Sequence, residues 1–362
     1  MIVFCHLLND ASGSPQVLKS TIEALSGSKT ENLLFIGSQG RGVLDSVAIK
    51  KRRFWYQRSR HRLVTLFTYF TSQVALYRAL GKAKDIPQDA TVFVNTLLPF
   101  AAMLWGRRTG RCVVVHLHEA SISPRLLRLF LTNCAAFSAN LLLYVSNDHK
   151  ARLPIVGPPS LVVPNPVSPA LLSRTDETSP RQDGQFRVLM LASLRGYKGI
   201  EEFMALAKGL QNRTDISFDL VLNAEANEVV AFSRNHSDAA NVTIHPRTDD
   251  PAQFYSNADL VLNLSRVDQV IETFGLTLVE AMTFGLPVIA PPVGGPVEIV
   301  THGTDGYCID SRDGAALRRA VLKLADDPET YEAMARAARK RAQDFSFDSY
   351  AAALRAALNT LG

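Results

Sequence analysis

The stretch "IETFGLTLVEAMTFGLPVIA", residues 271–290, combines a glycine turn, a helix-length segment and a short apolar strand. It places Glu272 and Glu280 eight residues apart, one on each side of the turn. If residues 275–283 form one helix, eight residues rise roughly 12 Å and the two carboxylates lie on different faces. Carboxylates that cooperate at one glycosidic bond lie roughly 5–9.5 Å apart, so a hydrolase-type acid/base pair is disfavoured.

The spacing instead favours two ends of one elongated ligand. The backbone N–H groups of Phe274, Gly275 and Leu276 would lie at a helix N-terminus, where they attract a diphosphate. A carboxylate accepts hydrogen bonds in pairs and therefore suits vicinal hydroxyls at either end of such a ligand. The stretch predicts a nucleotide-sugar site.

Short apolar runs alternate with helical patterns along both halves of the chain. Continuous apolar strands between helices are typical of parallel sheets covered on both faces. We predict an α/β fold of two doubly wound, Rossmann-like domains that face each other across a cleft, the usual ligand site of such sheets. The predicted boundaries are an N-terminal acceptor domain at 1–167, a polar linker at 168–185, a nucleotide-sugar domain at 186–345, and a C-terminal helix at 346–362.

A small-residue turn, "NDASGSPQVL", follows the first predicted strand. Gly13 supplies the turn and Pro15 suits the start of a helix, so the segment fits an anion or a sugar hydroxyl. An ordinary strand-to-helix turn explains it equally well. No G-x-G-x-x-G fingerprint appears, and a dinucleotide-binding dehydrogenase is only weakly supported.

The segment "ETFGLTLVEAMTFGLPVIAPPVGGPVEIVTHGTDGYCID", residues 272–310, resembles the Glu-x7-Glu signature of glycosyltransferase family 4. Members of that family are retaining enzymes with the GT-B fold. The resemblance implies that Glu272 contacts the donor sugar and that Glu280 holds the nucleotide ribose. The C-terminal "FSFDSYAAALRAAL" resembles the helix that returns to the first domain in this fold.

Upstream, "VLMLASLRGYKGIEEFMAL" resembles the family's Gly-Arg-Leu-x-x-x-Lys-Gly element. Lys198 matches its lysine, whereas Ser193 occupies the usual arginine position, and we expect Arg195 to supply the second positive charge. Fixed cations stabilise a departing nucleoside diphosphate without a metal. No Asp-x-Asp element is visible, so we expect neither a cofactor nor an obligatory metal.

In the first half, "CVVVHLHEASISPRLL" places His118 and Glu119 at the end of a predicted strand. The resemblance implies that His118 faces the donor sugar, where an imidazole binds a hydroxyl or handles a proton. His116 lies on the same strand face and competes for this assignment.

The charge of the chain is uneven. Residues 1–170 hold 20 lysines and arginines and 8 acidic residues, whereas the remainder holds 19 and 26. Seven of those cations lie between Lys50 and Arg62, around three consecutive aromatic residues. This composition favours an anionic membrane surface or a lipid-linked acceptor over nucleic acid, with a solvated basic loop before a core helix at 63–80 as the alternative. The residues assigned to this membrane or acceptor site are Lys50, Lys51, Arg52, Arg53 and Trp55.

The remaining features concern the compartment. The four cysteines are scattered without a C-x-x-C pair, the N-terminus lacks a basic region and a cleavage site, and no apolar run reaches a membrane span. We expect a cytoplasmic protein, peripheral on the inner face of the membrane.

The predicted activity is a retaining, metal-independent glycosyltransferase of the hexosyltransferase type. It would move a sugar from a nucleotide-diphosphate sugar to a hydroxyl of a glycan or lipid-linked glycan, as in the biosynthesis of cell-surface polysaccharide or lipopolysaccharide. A sugar-nucleotide epimerase or hydrolase, and a non-catalytic nucleotide-sugar-binding subunit, remain the alternatives. The sequence does not identify the base, the sugar, the acceptor or the linkage.

Overall fold

The computed structural model describes residues 1–10, 12–26, 31–40, 42–59, 61–175, 184–236 and 238–361. They divide into two compact units. Unit 1 comprises residues 1–166 together with the segment that begins at Phe347, and unit 2 comprises residues 167–346.

Unit 1 is built on a parallel sheet, which has seven strands within the described residues, in the order β3-β2-β1-β4-β5-β6-β7. Its central strands are almost entirely apolar because helices cover both faces of the sheet. The strands are β1 Ile2–His6, β2 Leu33–Gly37, β3 Lys50–Phe54, β4 Thr91–Asn95, β5 Val113–His116, β6 Leu141–Tyr144 and β7 Ser160–Val162. The helices before residue 167 are α1 Gly13–Leu25, α2 Arg62–Lys82, α3 Phe100–Arg108, α4 Arg125–Ser138 and α5 Asn147–Arg152.

Unit 2 repeats this plan with a parallel sheet of order β10-β9-β8-β11-β12-β13. The strands are β8 Phe186–Ser193, β9 Ile216–Asn223, β10 Val242–His245, β11 Leu260–Leu262, β12 Val288–Ala290 and β13 Gly306–Cys308. The helices are α6 Pro169–Leu172, α7 Ile200–Gly209, α8 Ala226–Arg234, α9 Ala252–Asn257, α10 Leu276–Thr283, α11 Pro296–Ile299, α12 Gly314–Asp326 and α13 Pro328–Ala342.

The C-terminal helix, α14 (Phe347–Asn359), belongs to unit 1. It packs on α1, where the Tyr350 hydroxyl lies 2.6 Å from the Thr21 hydroxyl. Tyr350 and Leu354 are buried in the same apolar cluster as Phe4 and Leu18. This contact lets the end of the chain complete the core of the unit in which the chain begins.

Three details differ from the sequence analysis. The Lys50–Phe54 segment is not a loop but the edge strand β3, which pairs only with β2 within the described sheet. The sequence pattern did not indicate β3, because an edge strand tolerates lysine and arginine where a central strand does not. The short strand β13 was also not predicted. Finally, the first part of the proposed linker forms α6 within unit 2, and Arg174 there pairs with Asp250 at 3.0 Å.

Residues 176–183 of the predicted linker lie outside the described residues. Among the described helices, none combines the length and the hydropathy needed to span a bilayer.

Candidate functional site

The turn that opens α10 is held by close backbone packing. Gly295 N–H donates to the Glu272 carbonyl at 2.8 Å. Gly275 has φ +111° and Gly294 has φ +85°, values that L side chains rarely adopt. A Cβ on Gly294 would lie 2.5 Å from the Glu272 carbonyl oxygen. Glycine is therefore required at position 294, where the Gly294–Gly295 backbone packs against the turn. This packing fixes the backbone of Glu272.

The Glu272 side chain is anchored by three residues. Its carboxylate accepts hydrogen bonds from the Lys198 ammonium and, at 2.6 Å, from the Ser265 hydroxyl. Burial acts to raise the pKa of the Glu272 carboxyl, but the Lys198 charge and the hydrogen bonds from Lys198, Ser265 and Asn263 outweigh it and lower the pKa. Glu272 is therefore a fixed, ionised acceptor. The structure brings Lys198 and Glu272 together, and an ammonium with three donors retains capacity for a phosphate oxygen.

Glu280, on the second turn of α10, lies in a different environment. Its carboxyl accepts a 2.8 Å hydrogen bond from the hydroxyl of Tyr255, a fully buried residue of α9. Burial raises the pKa of Glu280 to about 7, although the Tyr255 hydrogen bond acts in the opposite direction. Near neutral pH the Glu280 carboxyl is therefore partly protonated, whereas the Glu272 carboxyl stays charged.

The other predicted residues of unit 2 have distinct positions. The Phe274 side chain is a core group, 4% exposed, with its ring 5.8 Å from that of Phe345. Leu276 is the first residue of α10. Ser193 ends β8, and its carbonyl accepts from the Arg195 N–H at 2.7 Å. Arg195 is exposed, so its charge lies at the surface beside the turn that carries Lys198.

In unit 1, Asn95 connects the predicted turn at Gly13 with the predicted His118. Its Nδ2 donates to the Ser14 carbonyl at 3.1 Å, next to Gly13 at the start of α1. Its Oδ1 lies 3.0 Å from His118 Nε2. Because a carbonyl can only accept, the Ser14 contact orients the amide, and His118 Nε2 must carry the proton. Asn95 thus sets the His118 tautomer.

His118 is partly buried and lies beside buried imidazoles. Its ring centroid lies 4.2 Å from that of His116, which is fully buried in β5. Burial lowers the pKa of His118 well below its ordinary value, and His116, His149 and His6 lower it further. Burial likewise lowers the pKa of His116 to about 3. His118 is therefore a neutral hydrogen-bonding group at neutral pH, and His116 is a core residue.

A carboxylate and a strained residue hold the backbone beside His118. Glu119 accepts from the His118 N–H at 3.1 Å and from the Leu97 N–H at 2.5 Å. Thr96, between Asn95 and Leu97, has φ +73°, a conformation that costs free energy in a β-branched residue. This strained residue directly follows Asn95, the last residue of β4, which contacts His118.

The predicted basic site is internally paired. Asp85 binds both Lys50 (3.2 Å) and Arg52 (2.6 Å). Asp45 binds Arg53 at 2.7 Å, and its carbonyl accepts from Lys51. Trp55 is 48% exposed. These contacts hold the cations of Lys50–Phe54 along a strand, so the alternative of a loop is wrong for this part of the basic run.

Sequence reasoning missed four residues of these arrangements. Asn95 ends an apolar strand, and Asn263 and Ser265 follow another, so polar residues at the carboxyl ends of parallel strands were an available signal. Tyr255 lies in a short helix and no sequence feature marked it. In the part of the chain that is described, no group of three or more His, Cys, Asp or Glu side chains is arranged to hold a metal ion.

Comparison with known proteins adds a family-level similarity to this geometry. Residues 173–341 match the family model described as glycosyl transferases group 1. The matched segment contains Lys198, Glu272 and Glu280. One curated relative is a probable sucrose-phosphate synthase 5 from Oryza sativa subsp. japonica, with 29% identity over 59% of this chain and 21% of the relative. Another is a D-inositol 3-phosphate glycosyltransferase from Pseudarthrobacter chlorophenolicus, with 31% identity over 53% of this chain and 48% of the relative. The chain therefore spans less than half the length of these relatives.

Solved structures agree over almost the whole chain. HepE from Anabaena, in complex with UDP and glucose, superposes with a TM-score of 0.78 at 19% identity, covering 99% of both chains. Sucrose-phosphate synthase from Thermosynechococcus elongatus gives 0.81 at 18% identity, covering 99% of this chain and 98% of that one. The chain has the GT-B fold. The prediction of two doubly wound, Rossmann-like domains is confirmed, whereas membership of family 4 stays a prediction.

Proposed function

We propose that this protein is a retaining glycosyltransferase that uses a nucleotide-diphosphate sugar. The observation that carries the proposal is the anchored Lys198–Glu272–Ser265 group beside the N-terminus of α10, with Glu280 on the second turn of that helix. The Glu-x7-Glu spacing supports the proposal through the two glutamates, and the whole group lies in the segment that matches the group 1 family model.

The proposed division of labour follows from the two carboxyl environments. Glu272, fixed and ionised, accepts hydrogen bonds from donor-sugar hydroxyls, whereas Glu280 accepts from the ribose. Lys198, Arg195 and the N–H groups at the start of α10 stabilise the diphosphate as it gains charge. His118, whose Nε2 proton is donated to Asn95 Oδ1, contacts a donor-sugar hydroxyl as a neutral imidazole.

The proposed reaction has no protein nucleophile. The bond between the anomeric carbon and the diphosphate oxygen breaks with its electron pair going to that oxygen. The acceptor hydroxyl oxygen bonds the anomeric carbon on the same face, and its proton goes to the departing phosphate. Charge stabilisation at the leaving group is then the protein's main contribution.

We propose UDP-sugars as the first donors to test, because HepE structures contain UDP, UDP-glucose and glucose. The acceptor hydroxyl belongs to a glycan or lipid-linked glycan at a membrane surface. A phosphorylated polyol enters the acceptor panel as well, because one relative is named a D-inositol 3-phosphate glycosyltransferase.

A thermal-shift screen of UDP-, GDP- and ADP-sugars, followed by turnover assays with the stabilising donors, tests this function. Ligand at 100 times its dissociation constant stabilises a native protein by about 2.7 kcal/mol, which a melting curve resolves. We expect stabilisation by one nucleotide class and acceptor-dependent release of the nucleoside diphosphate. A changed sugar formed from donor alone would instead indicate an epimerase or hydrolase. Binding without turnover across the acceptor panel would indicate a non-catalytic subunit.

A further inference from the structure

Helix α2 exposes an apolar stripe opposite its buried face. Tyr69, Leu76 and Leu80 face the core, at 5%, 0% and 1% exposure. Positions 63, 67, 70 and 74 fall on one line along the outer face, roughly 16 Å long. The exposed side chains are Leu63 (82%), Val64 (47%), Phe67 (70%), Phe70 (40%) and Val74 (51%). The sequence analysis described this segment as a core helix, and that expectation is wrong for these five residues.

Helix α4 carries a second exposed stripe, and the two stripes meet. The rings of Phe70 and Phe130 lie 6.1 Å apart, and both also contact Phe100 of α3. The exposed residues of α4 are Leu126 (78%), Leu129 (45%), Phe130 (40%) and Phe137 (65%). We call these nine side chains of α2 and α4 the α2/α4 face. A connected apolar surface of this kind marks an interaction site in a soluble protein.

The charged residues of the helices that form and adjoin the α2/α4 face are all of one sign. None of the residues of α2, α3 and α4 is an aspartate or a glutamate. Arg107 also lies over the Phe137 ring, with 5.5 Å between the guanidinium carbon and the ring centroid. The lysines and arginines of the three helices whose side chains the structure describes are Arg78, Lys82, Arg107, Arg108, Arg125 and Arg128.

We propose that the α2/α4 face docks on an anionic lipid bilayer. Leucine and phenylalanine side chains would enter the boundary between headgroups and acyl chains, while the surrounding cations bind anionic headgroups. The charge pattern argues against a second copy of this chain as the occupant, because two such faces would bring like charges together. The proposal deepens the proposed function, and rests on it only in placing a lipid-linked acceptor at the same membrane.

This proposal moves the membrane contact away from the basic segment that the sequence analysis assigns to it. The cations of β3 are paired with Asp85 and Asp45 on their own unit. Paired charges attract lipid less than unpaired ones do, since the nearby carboxylates cancel part of their field. The two surfaces therefore make different predictions for the same binding assay.

Co-sedimentation of the full chain with vesicles tests the proposal. The vesicles contain phosphatidylcholine alone or phosphatidylcholine mixed with phosphatidylglycerol. We expect binding to the anionic vesicles, release at high salt, and little binding to the neutral ones. The double variant Leu63→Gln/Phe67→Gln should weaken binding about tenfold or more, because two insertions are lost. Val156→Gln, which changes a side chain that is 87% exposed elsewhere in unit 1, should bind as wild type does.

Melting temperature and nucleotide binding are measured on the same preparations. Because the substituted side chains are exposed, we expect both to stay at wild-type values, so a loss of vesicle binding reports the surface rather than the fold. Equal vesicle binding by Leu63→Gln/Phe67→Gln and wild type would overturn the proposal. So would loss of binding only when Lys50, Lys51, Arg52 and Arg53 are changed to serine, or a wild-type dimer that dissociates in the double variant. A failed glycosyltransferase assay would leave the vesicle result unaffected, so the two proposals fail separately.

Discussion

Glu280→Gln should stabilise the protein at alkaline pH and weaken nucleotide binding at the same time. The folded state raises the pKa of Glu280 to about 7 from an ordinary value of 4.5, chiefly through burial. Between these values the folded chain holds a proton that the unfolded chain has lost. The free energy of unfolding therefore falls as pH rises through this window, and ionised Glu280 destabilises the fold above it.

The magnitude follows from the shift. A difference of about 2.5 pKa units corresponds to about 3 kcal/mol, an upper bound because Glu280 keeps some contact with solvent. A neutral glutamine keeps an oxygen that accepts the Tyr255 hydrogen bond and removes the buried charge. We therefore expect Glu280→Gln to raise the free energy of unfolding by about 1–3 kcal/mol at pH 8, and by much less at pH 4.5.

Urea denaturation followed by circular dichroism measures this effect. Tryptophan fluorescence is unsuitable, because both tryptophans, Trp55 and Trp105, lie in unit 1 whereas Glu280 lies in unit 2. The control is Glu23→Gln, which changes an exposed glutamate on α1 and should shift stability by less than about 0.5 kcal/mol. Equal stability of Glu280→Gln and wild type at pH 8 would refute the assigned environment of this carboxyl.

A second variant, Glu280→Ala, tests the role of Glu280 in binding. Calorimetric titration with a nucleotide sugar should show wild-type affinity that rises from pH 6 to pH 8, as the carboxylate forms. Glu280→Ala should bind about 1.5–3 kcal/mol more weakly than wild type at pH 8, since the ribose loses a charged acceptor. Unchanged affinity would remove Glu280 from the nucleotide site.

Three further predictions separate the roles of the other residues. His118→Ala and Glu272→Gln should lower kcat by far more than they change the nucleotide dissociation constant, because the proposal places both residues at the sugar. Steady-state kinetics combined with nucleotide titration checks this, and full turnover in either variant contradicts its role. Ser265→Ala should raise the pKa of Glu272 and reduce kcat, at a cost of about 1–3 kcal/mol in transition-state stabilisation. An unchanged pH profile of kcat would show that Lys198 alone holds the carboxylate. Gly294→Ala should lower the free energy of unfolding by about 1–3 kcal/mol or more, because φ +85° and the Glu272 carbonyl exclude a Cβ; a wild-type melting curve would argue against that backbone contact.

The fold was readable from the sequence because its strands are buried. A run such as "TVFVN" in β4 is apolar on both faces only in a parallel sheet covered by helices. The strand β3, "KKRRF", carried no such signal, since an edge strand with exposed side chains has no apolar pattern to detect. Composition at 63–80 predicted a helix, but not that five of its apolar side chains are exposed.

The candidate site was predictable where residues are linked along the chain. Glu272 and Glu280 follow from one segment and its spacing, and Lys198 from a second segment that resembles the same family. The partners that set their charge states are separated from them in sequence. Tyr255 lies 25 residues before Glu280 and Lys198 lies 74 residues before Glu272. Only the folded chain shows that burial raises the pKa of Glu280 against its Tyr255 hydrogen bond, whereas Lys198 lowers that of Glu272.

Proton NMR of the transferred sugar tests the central claim most directly. The full chain is incubated with the stabilising nucleotide sugar and the acceptor panel, and the anomeric signal of the new glycoside is compared with that of the donor. We predict a new glycoside with the anomeric configuration of the donor, formed by wild type and strongly reduced in Glu272→Gln. A product of inverted configuration, or no product with any donor that binds, would contradict a retaining glycosyltransferase.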